Sequence, residues 1–209
     1  MTTLTQLTKM ALLCAALSLT VFGCAFRSQT VTLEPSVDVS SQSIGNQQTI
    51  VVQVVDERTN TELGRRGNGA LRGAAIKTDA DIEAVFSESI INNLRTMGYN
   101  AVPADTPGTG VVMRVDVRSI EYETSSGFFT GGVHARGAMK VTATRNQTSY
   151  DKLYRVDEEK RTVVVPGANA NSRQINTTVS ALIQELFDDP ALFDFINDSA
   201  GAGTQAPTL

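Results

Sequence analysis

Residues 111–118 carry two faces: Val111, Met113, Val115 and Val117 alternate with Val112, Arg114, Asp116 and Arg118. A period of two is what a pleated strand with one buried side imposes, because successive side chains point to opposite faces. Residues 131–144 repeat the pattern, with Met139, Val141 and Ala143 on one face. Ile120 and Tyr122 fall on the opposite parity, so a bulge near Ser119 is expected to return them to the buried side. Two long half-buried strands commit the chain to a sheet with one face laid against an apolar layer.

The helices supply that layer. Ile82, Val85, Phe86, Ile90, Leu94 and Met97 recur at helical spacing after Thr78-Asp79-Ala80-Asp81, and Gly98 marks the stop. Thr78 is expected to accept a backbone N–H there, with Asp81 in the first turn where a negative charge suits the dipole. A second helix is predicted over 172–187 through Ile175, Val179, Leu182, Ile183 and Leu186, and Pro190 opens a short third one. Residues 48–55 read as a buried strand, 57–77 as a long glycine-rich loop and 99–103 as a short strand turned by Asp105-Thr106-Pro107-Gly108. Residues 145–148 read as a hairpin turn, and 150–165 as an extended stretch broken around Glu158-Glu159. The predicted fold is α+β: a mostly antiparallel sheet of about four to six strands, two main helices on one face and a short C-terminal helix.

The amino-terminal region has the layout of an export signal: a polar start with Lys9, then the apolar run 10–21. The run is shorter than the roughly 20 apolar residues a spanning helix needs. It ends in Val21, Phe22 and Gly23 before Cys24, which resembles the lipobox of bacterial lipoproteins, where the cysteine thiol is acylated and the chain is cut on its amino side. The resemblance implies lipidation at Cys24. Ala25 follows, where aspartate signals retention at the inner membrane, and this implies the periplasmic face of the outer membrane in a Gram-negative cell. The expected organisation is a signal peptide over 1–23, a lipidated cysteine and flexible tether over 24–47, one domain over 48–198 and a disordered tail over 199–209. Val31-Thr32-Leu33, inside the tether, is extended enough to touch the domain.

Removing 1–23 takes away Lys9 and no acid, leaving 17 basic against 22 acidic side chains. An acidic domain argues against nucleic acid as partner. Cys14 lies in the signal and Cys24 is the acylation site, so neither a disulfide nor a CxxC metal site is expected. No metal and no cofactor are expected.

Several segments together resemble the YajG-type bacterial lipoproteins: Gly23-Cys24, the helix end and strand start 91–99, and 189–196 (DPALFDFI), in matching order across about 48–197. The family carries no agreed catalytic residues, so the resemblance assigns none. Residues 155–166 look longer here than in the family.

Chemistry-bearing candidates are few. Arg58, Arg65, Arg66 and Arg72 share the glycine-rich loop and form a candidate anion site. Phe128 and Phe129, between glycines at a hairpin tip, form a candidate partner contact. His134 is the only histidine and no GxSxG elbow accompanies it. Glu121 and Glu123 share a strand face, and Asp188, Asp189, Asp194 and Asp198 read as helix caps and surface charges. With no catalytic residue assigned, the expected function is non-enzymatic. It is a membrane-anchored domain binding another envelope component, foremost a protein; the alternatives are a cell-wall-acting enzyme or accessory and a self-associating structural subunit.

Overall fold

The computed structural model describes residues 28–41, 44–66, 73–106, 110–126, 131–162 and 166–198. Cys24, its preceding Val21, Phe22 and Gly23, and also Arg72, Phe128 and Phe129, lie outside them. The strands are β1 (Gln29–Thr30), β2 (Thr49–Asp56), β3 (Gly64–Arg65), β4 (Ala75–Lys77), β5 (Asn100–Pro103), β6 (Val111–Ser126), β7 (Gly131–Arg145) and β8 (Thr148–Thr162). The helices are α1 (Ile82–Thr96), α2 (Ala168–Phe187) and α3 (Pro190–Asn197).

β6 is the axis of one eight-stranded sheet. One of its edges pairs antiparallel with β7, and β7 with β8, in an unbroken meander. The other edge is divided. Its first half pairs in parallel with β2, which in turn pairs in parallel with β5, and its second half pairs in parallel with β3, leading to β4 and β1. The expected mostly antiparallel sheet of four to six strands is therefore wrong: among the described residues the sheet is mixed, parallel and antiparallel, with eight strands, and three helices accompany it. The error has a local origin. Parallel neighbours ordinarily need a crossover of a dozen or more residues, so the short link between β5 and β6 reads as a hairpin turn. Instead β5 and β6 flank β2, and the link returns past its start. Gly110 permits this, since a Cβ there would stand 2.2 Å from the Thr49 carbonyl oxygen. The loop over 57–77 also holds β3 and β4, two and three residues long, which are too short to show a period.

Other expectations hold in part. The β6 register shifts between Val117 and Ser119, and Ile120 and Tyr122 are buried. α1 is stopped by Gly98 at φ 88°, a left-handed conformation that costs glycine nothing. The expected roles of Thr78 and Asp81 are corrected: Asp81 is the cap, its Oδ1 accepting from the Glu83 and Ala84 N–H groups, Glu83 is the first-turn acid, and Thr78 accepts from the Ala80 N–H ahead of the helix. The break expected around Glu158-Glu159 is absent, since β8 runs through both residues. All three helices contribute to one continuous core on one face of the sheet, with Ile50, Val52 and Val54 of β2, Met113 to Tyr122 of β6 and Met139 and Val141 of β7. α2 crosses β7 at Gly137, where an added Cβ would meet Leu182 Cδ2 at 3.1 Å.

Candidate functional site

Helix α2 organises the chemistry of this domain, and its flank explains the amino-terminal segment. Of the residues read as tether, 29–39 lie extended, with Gln29, Val31 and Leu33 buried. Backbone N–H groups of Glu34, Ser36 and Asp38 donate to Asn176 Oδ1 (2.6 Å), Ser180 Oγ (2.9 Å) and Gln184 Oε1 (2.9 Å). Asn176 and Gln184 donate back to the carbonyls of Thr32 and Asp38. The ladder works because four residues of helix advance about 6 Å and two residues of strand about 6.6 Å. A polar row at i, i+4 and i+8 thus substitutes for a neighbouring strand.

The amino end of α2 is open and cationic. Its cap, Gly167, offers no side chain, and the first turn holds no acid. A cavity of about 420 Å³ beside it is lined by Tyr122, Val133, Lys160, Arg161, Arg173 and Gln174, among others. Among the described residues Lys160, Arg161 and Arg173 form no ion pair, whereas Arg58, Arg65, Arg114, Arg118, Arg136, Lys140 and Lys152 each do. The floor is held by a buried chain of hydrogen bonds: Tyr122 Oη donates to Asn171 Oδ1 (2.7 Å), and Asn171 Nδ2 donates to Gln29 Oε1 (3.0 Å). Burial pushes the Tyr122 phenol up to about 12, against the pull of the Arg66 guanidinium, so it is neutral at physiological pH.

The proposed arginine loop is dispersed. Arg58 is 4% exposed and clamps Asp56 through Nε and Nη2, both at 2.8 Å; that bond holds the Asp56 carboxyl below its ordinary value. Arg65 pairs with Glu62 at 2.9 Å. Arg66 alone turns toward Tyr122, with Nε buried and without a partner among the described residues. The sequence reading missed Lys160, Arg161 and Arg173. Two of these fall in the segment noted as longer than in related chains, and the third stands on α2, twelve residues after Arg161.

The carboxyl end of α2 is closed. Asp189 is buried and accepts from Tyr150 Oη (2.7 Å), Tyr154 Oη (2.5 Å), Lys152 Nζ (3.0 Å) and the Ala191 N–H (3.1 Å). Burial raises its pKa, but the hydrogen bonds from Tyr150, Tyr154 and Lys152 outweigh this and hold it down to about 2. Burial and the adjacent carboxylate push Tyr150 up to about 12 and Tyr154 further in the same direction. Reading the aspartates as surface caps is thus half correct for Asp189: it caps α3, yet it is interior. The clue was Tyr150, Lys152 and Tyr154 at period two, one face of β8.

On the other face of the sheet, Glu121 and Glu123 are half or more exposed and share Arg136 at 3.4 and 3.5 Å. His134 Nε2 lies 3.7 Å from Glu159. Among the described residues no group of three or more His, Cys, Asp or Glu is placed to hold a metal ion.

The sequence pattern of the family described as uncharacterized lipoprotein, Lipoprotein_16, matches residues 35–197. The chain belongs to this family, the YajG-type lipoproteins. The family match thus begins within the segment that runs along α2 and ends with α3. No curated protein matches the chain in sequence. Among solved structures, a Xanthomonas campestris protein of the DUF330 family is similar in fold, with a TM-score of 0.51 and 11% identity over 77% of this chain and 91% of that one. A neuraminyllactose-binding hemagglutinin homolog from Helicobacter pylori aligns with a TM-score of 0.47 and 9% identity, over 80% and 98%. Lipoprotein GNA1162 from Neisseria meningitidis aligns with 0.33 and 14%, over 68% and 99%.

Proposed function

We propose that this lipoprotein is acylated at Cys24, sits on the periplasmic face of the outer membrane and serves as a non-catalytic domain that binds another envelope protein. The observation that carries the binding reading is the edge strand β8. It is 15 residues long and, among the described residues, pairs only with β7. An uncovered edge offers a row of backbone donors and acceptors to an added strand. Leu153, 42% exposed, stands on this strand as an apolar contact. The non-catalytic reading is supported by the exposed, arginine-bound state of Glu121 and Glu123 and by the wholly structural engagement of Asp189. Phe128 and Phe129 remain candidates for the same partner.

A photoreactive residue at Leu153 in the lipidated protein, irradiated in cells and analysed by mass spectrometry, should capture one envelope protein. The same residue at Glu88, on the exposed side of α1, should not. Equal capture at both positions, or none at Leu153, ends the β8 reading. Capture of a second copy of this chain would favour the self-associating subunit, which the same uncovered edge supports.

A further inference from the structure

From Cys24 to Gln29 the chain has five residues, which span at most about 18 Å fully extended. Gln29 is fixed to the first turn of α2: Nε2 donates to the Ala168 carbonyl (2.8 Å) and Ser172 Oγ (3.1 Å), and Asn171 donates to Oε1. The domain is much longer than that leash, since the 16 residues of β6 alone extend about 50 Å. A lipid on Cys24 therefore holds the amino end of α2 near the bilayer, whatever the remainder of the domain does. At that same end stand Lys160, Arg161 and Arg173, three cations that form no ion pair among the described residues. Of the twelve other described basic side chains, seven are ion-paired and Arg95 and Arg145 donate to backbone carbonyls, while Arg66, Lys77 and Arg155 form no ion pair. A cluster of three such cations thus stands where the chain is tied.

We propose that this end of the domain docks on the anionic phospholipid surface to which the chain is tied, with Lys160, Arg161 and Arg173 meeting headgroup phosphates. The inference rests on the acylation of Cys24 in the reading above. Guanidinium and ammonium groups bind phosphate oxygens by charge-assisted hydrogen bonds. Each basic residue close to an anionic surface contributes about fivefold to binding, and the attraction fades within a Debye length. The five-residue leash keeps the cations in range, so a modest intrinsic affinity suffices. Docking in this pose leaves the length of β8 running away from the bilayer, available to a partner.

The test uses the full-length lipidated protein in vesicles of phosphatidylcholine alone or with equal phosphatidylglycerol, with a fluorophore on a single introduced cysteine and a headgroup-borne quencher. Asn169→Cys reports from the first turn of α2, and Asp105→Cys from beside the beginning of β6. Expected is strong quenching at 169 and little at 105 in anionic vesicles. The contrast should be lost in phosphatidylcholine, in high salt, and in the triple variant Lys160→Glu, Arg161→Glu, Arg173→Glu. Quenching at 169 that ignores lipid charge and the triple variant overturns the docking while leaving the anchor intact, as does equal quenching at both positions. Protein that fails to float with the vesicles overturns the acylation reading and the docking with it. If the triple variant loses its far-ultraviolet dichroism, the pair Lys160→Gln and Arg173→Gln takes its place, with the same contrast expected to shrink.

Discussion

The two ends of α2 are built on opposite plans. At the carboxyl end one buried carboxylate receives four donors from β8 and α3, so every strong polar group near it is satisfied. At the amino end the helix is uncapped by any side chain, and three cations have no ion pair among the described residues. An unpaired buried carboxylate would cost several kcal/mol, which is why Asp189 is surrounded by donors. Exposed charge without an ion pair costs nothing while water solvates it. It remains free to meet something else. The closed end holds the fold together, and the open end is where the molecule can respond to its surroundings.

The strongest challenge to this contrast is Asp189→Ala. It removes the α3 cap and leaves the Tyr154 hydroxyl buried without its acceptor, so it should destabilise the protein by roughly 2–4 kcal/mol in denaturant unfolding. A loss below about 0.5 kcal/mol, the ordinary range for surface changes, would show that the closed end is not the anchor described. The wild type carries a pH signature of the same group. Its folded pKa lies below the ordinary 3.8, so the stability it contributes is complete above that value and is lost as the pH falls toward 2. Asp189→Ala should flatten that limb.

Asn171→Ala probes the interior of the open end. Asn171 is fully buried and joins Tyr122 to Gln29. Its loss leaves two buried polar groups without partners and should cost roughly 1–3 kcal/mol, with faster hydrogen exchange along residues 29–39. If exchange there is unchanged, the attachment of that segment depends on the α2 ladder alone. Arg161→Gln, at the rim, is expected to move stability by less than about 0.5 kcal/mol, measured by thermal unfolding. A larger destabilisation would mean that the rim is structural, and the contrast between the two ends would lose its meaning.

Much of the architecture is readable in the sequence. The alternation in β6 and β7, with the bulge beside Ser119, follows from side chains that must all reach one core. α1 was visible through its apolar spacing and Gly98. The α2 ladder was not, because Ser172, Asn176, Ser180 and Gln184 are ordinary polar residues on an exposed helix face until an extended segment lies beside them. Likewise, nothing in the spacing of Arg58, Arg65 and Arg66 says that two of them are already taken by Asp56 and Glu62.

By itself the sequence determined what local periodicity can encode: which stretches are helix or half-buried strand, where they stop, and that a short apolar run ends at Cys24. Tertiary structure alone decided what depends on contacts between distant residues. It placed β5 and β6 on either side of β2 in parallel, turned Asp189 from a surface cap into a buried hub, and gathered Lys160, Arg161 and Arg173 at the end of α2 where the amino-terminal segment enters. The physical reason is that a side chain's propensity is set by its own backbone, whereas its partner, burial and charge environment are set by what the fold brings against it.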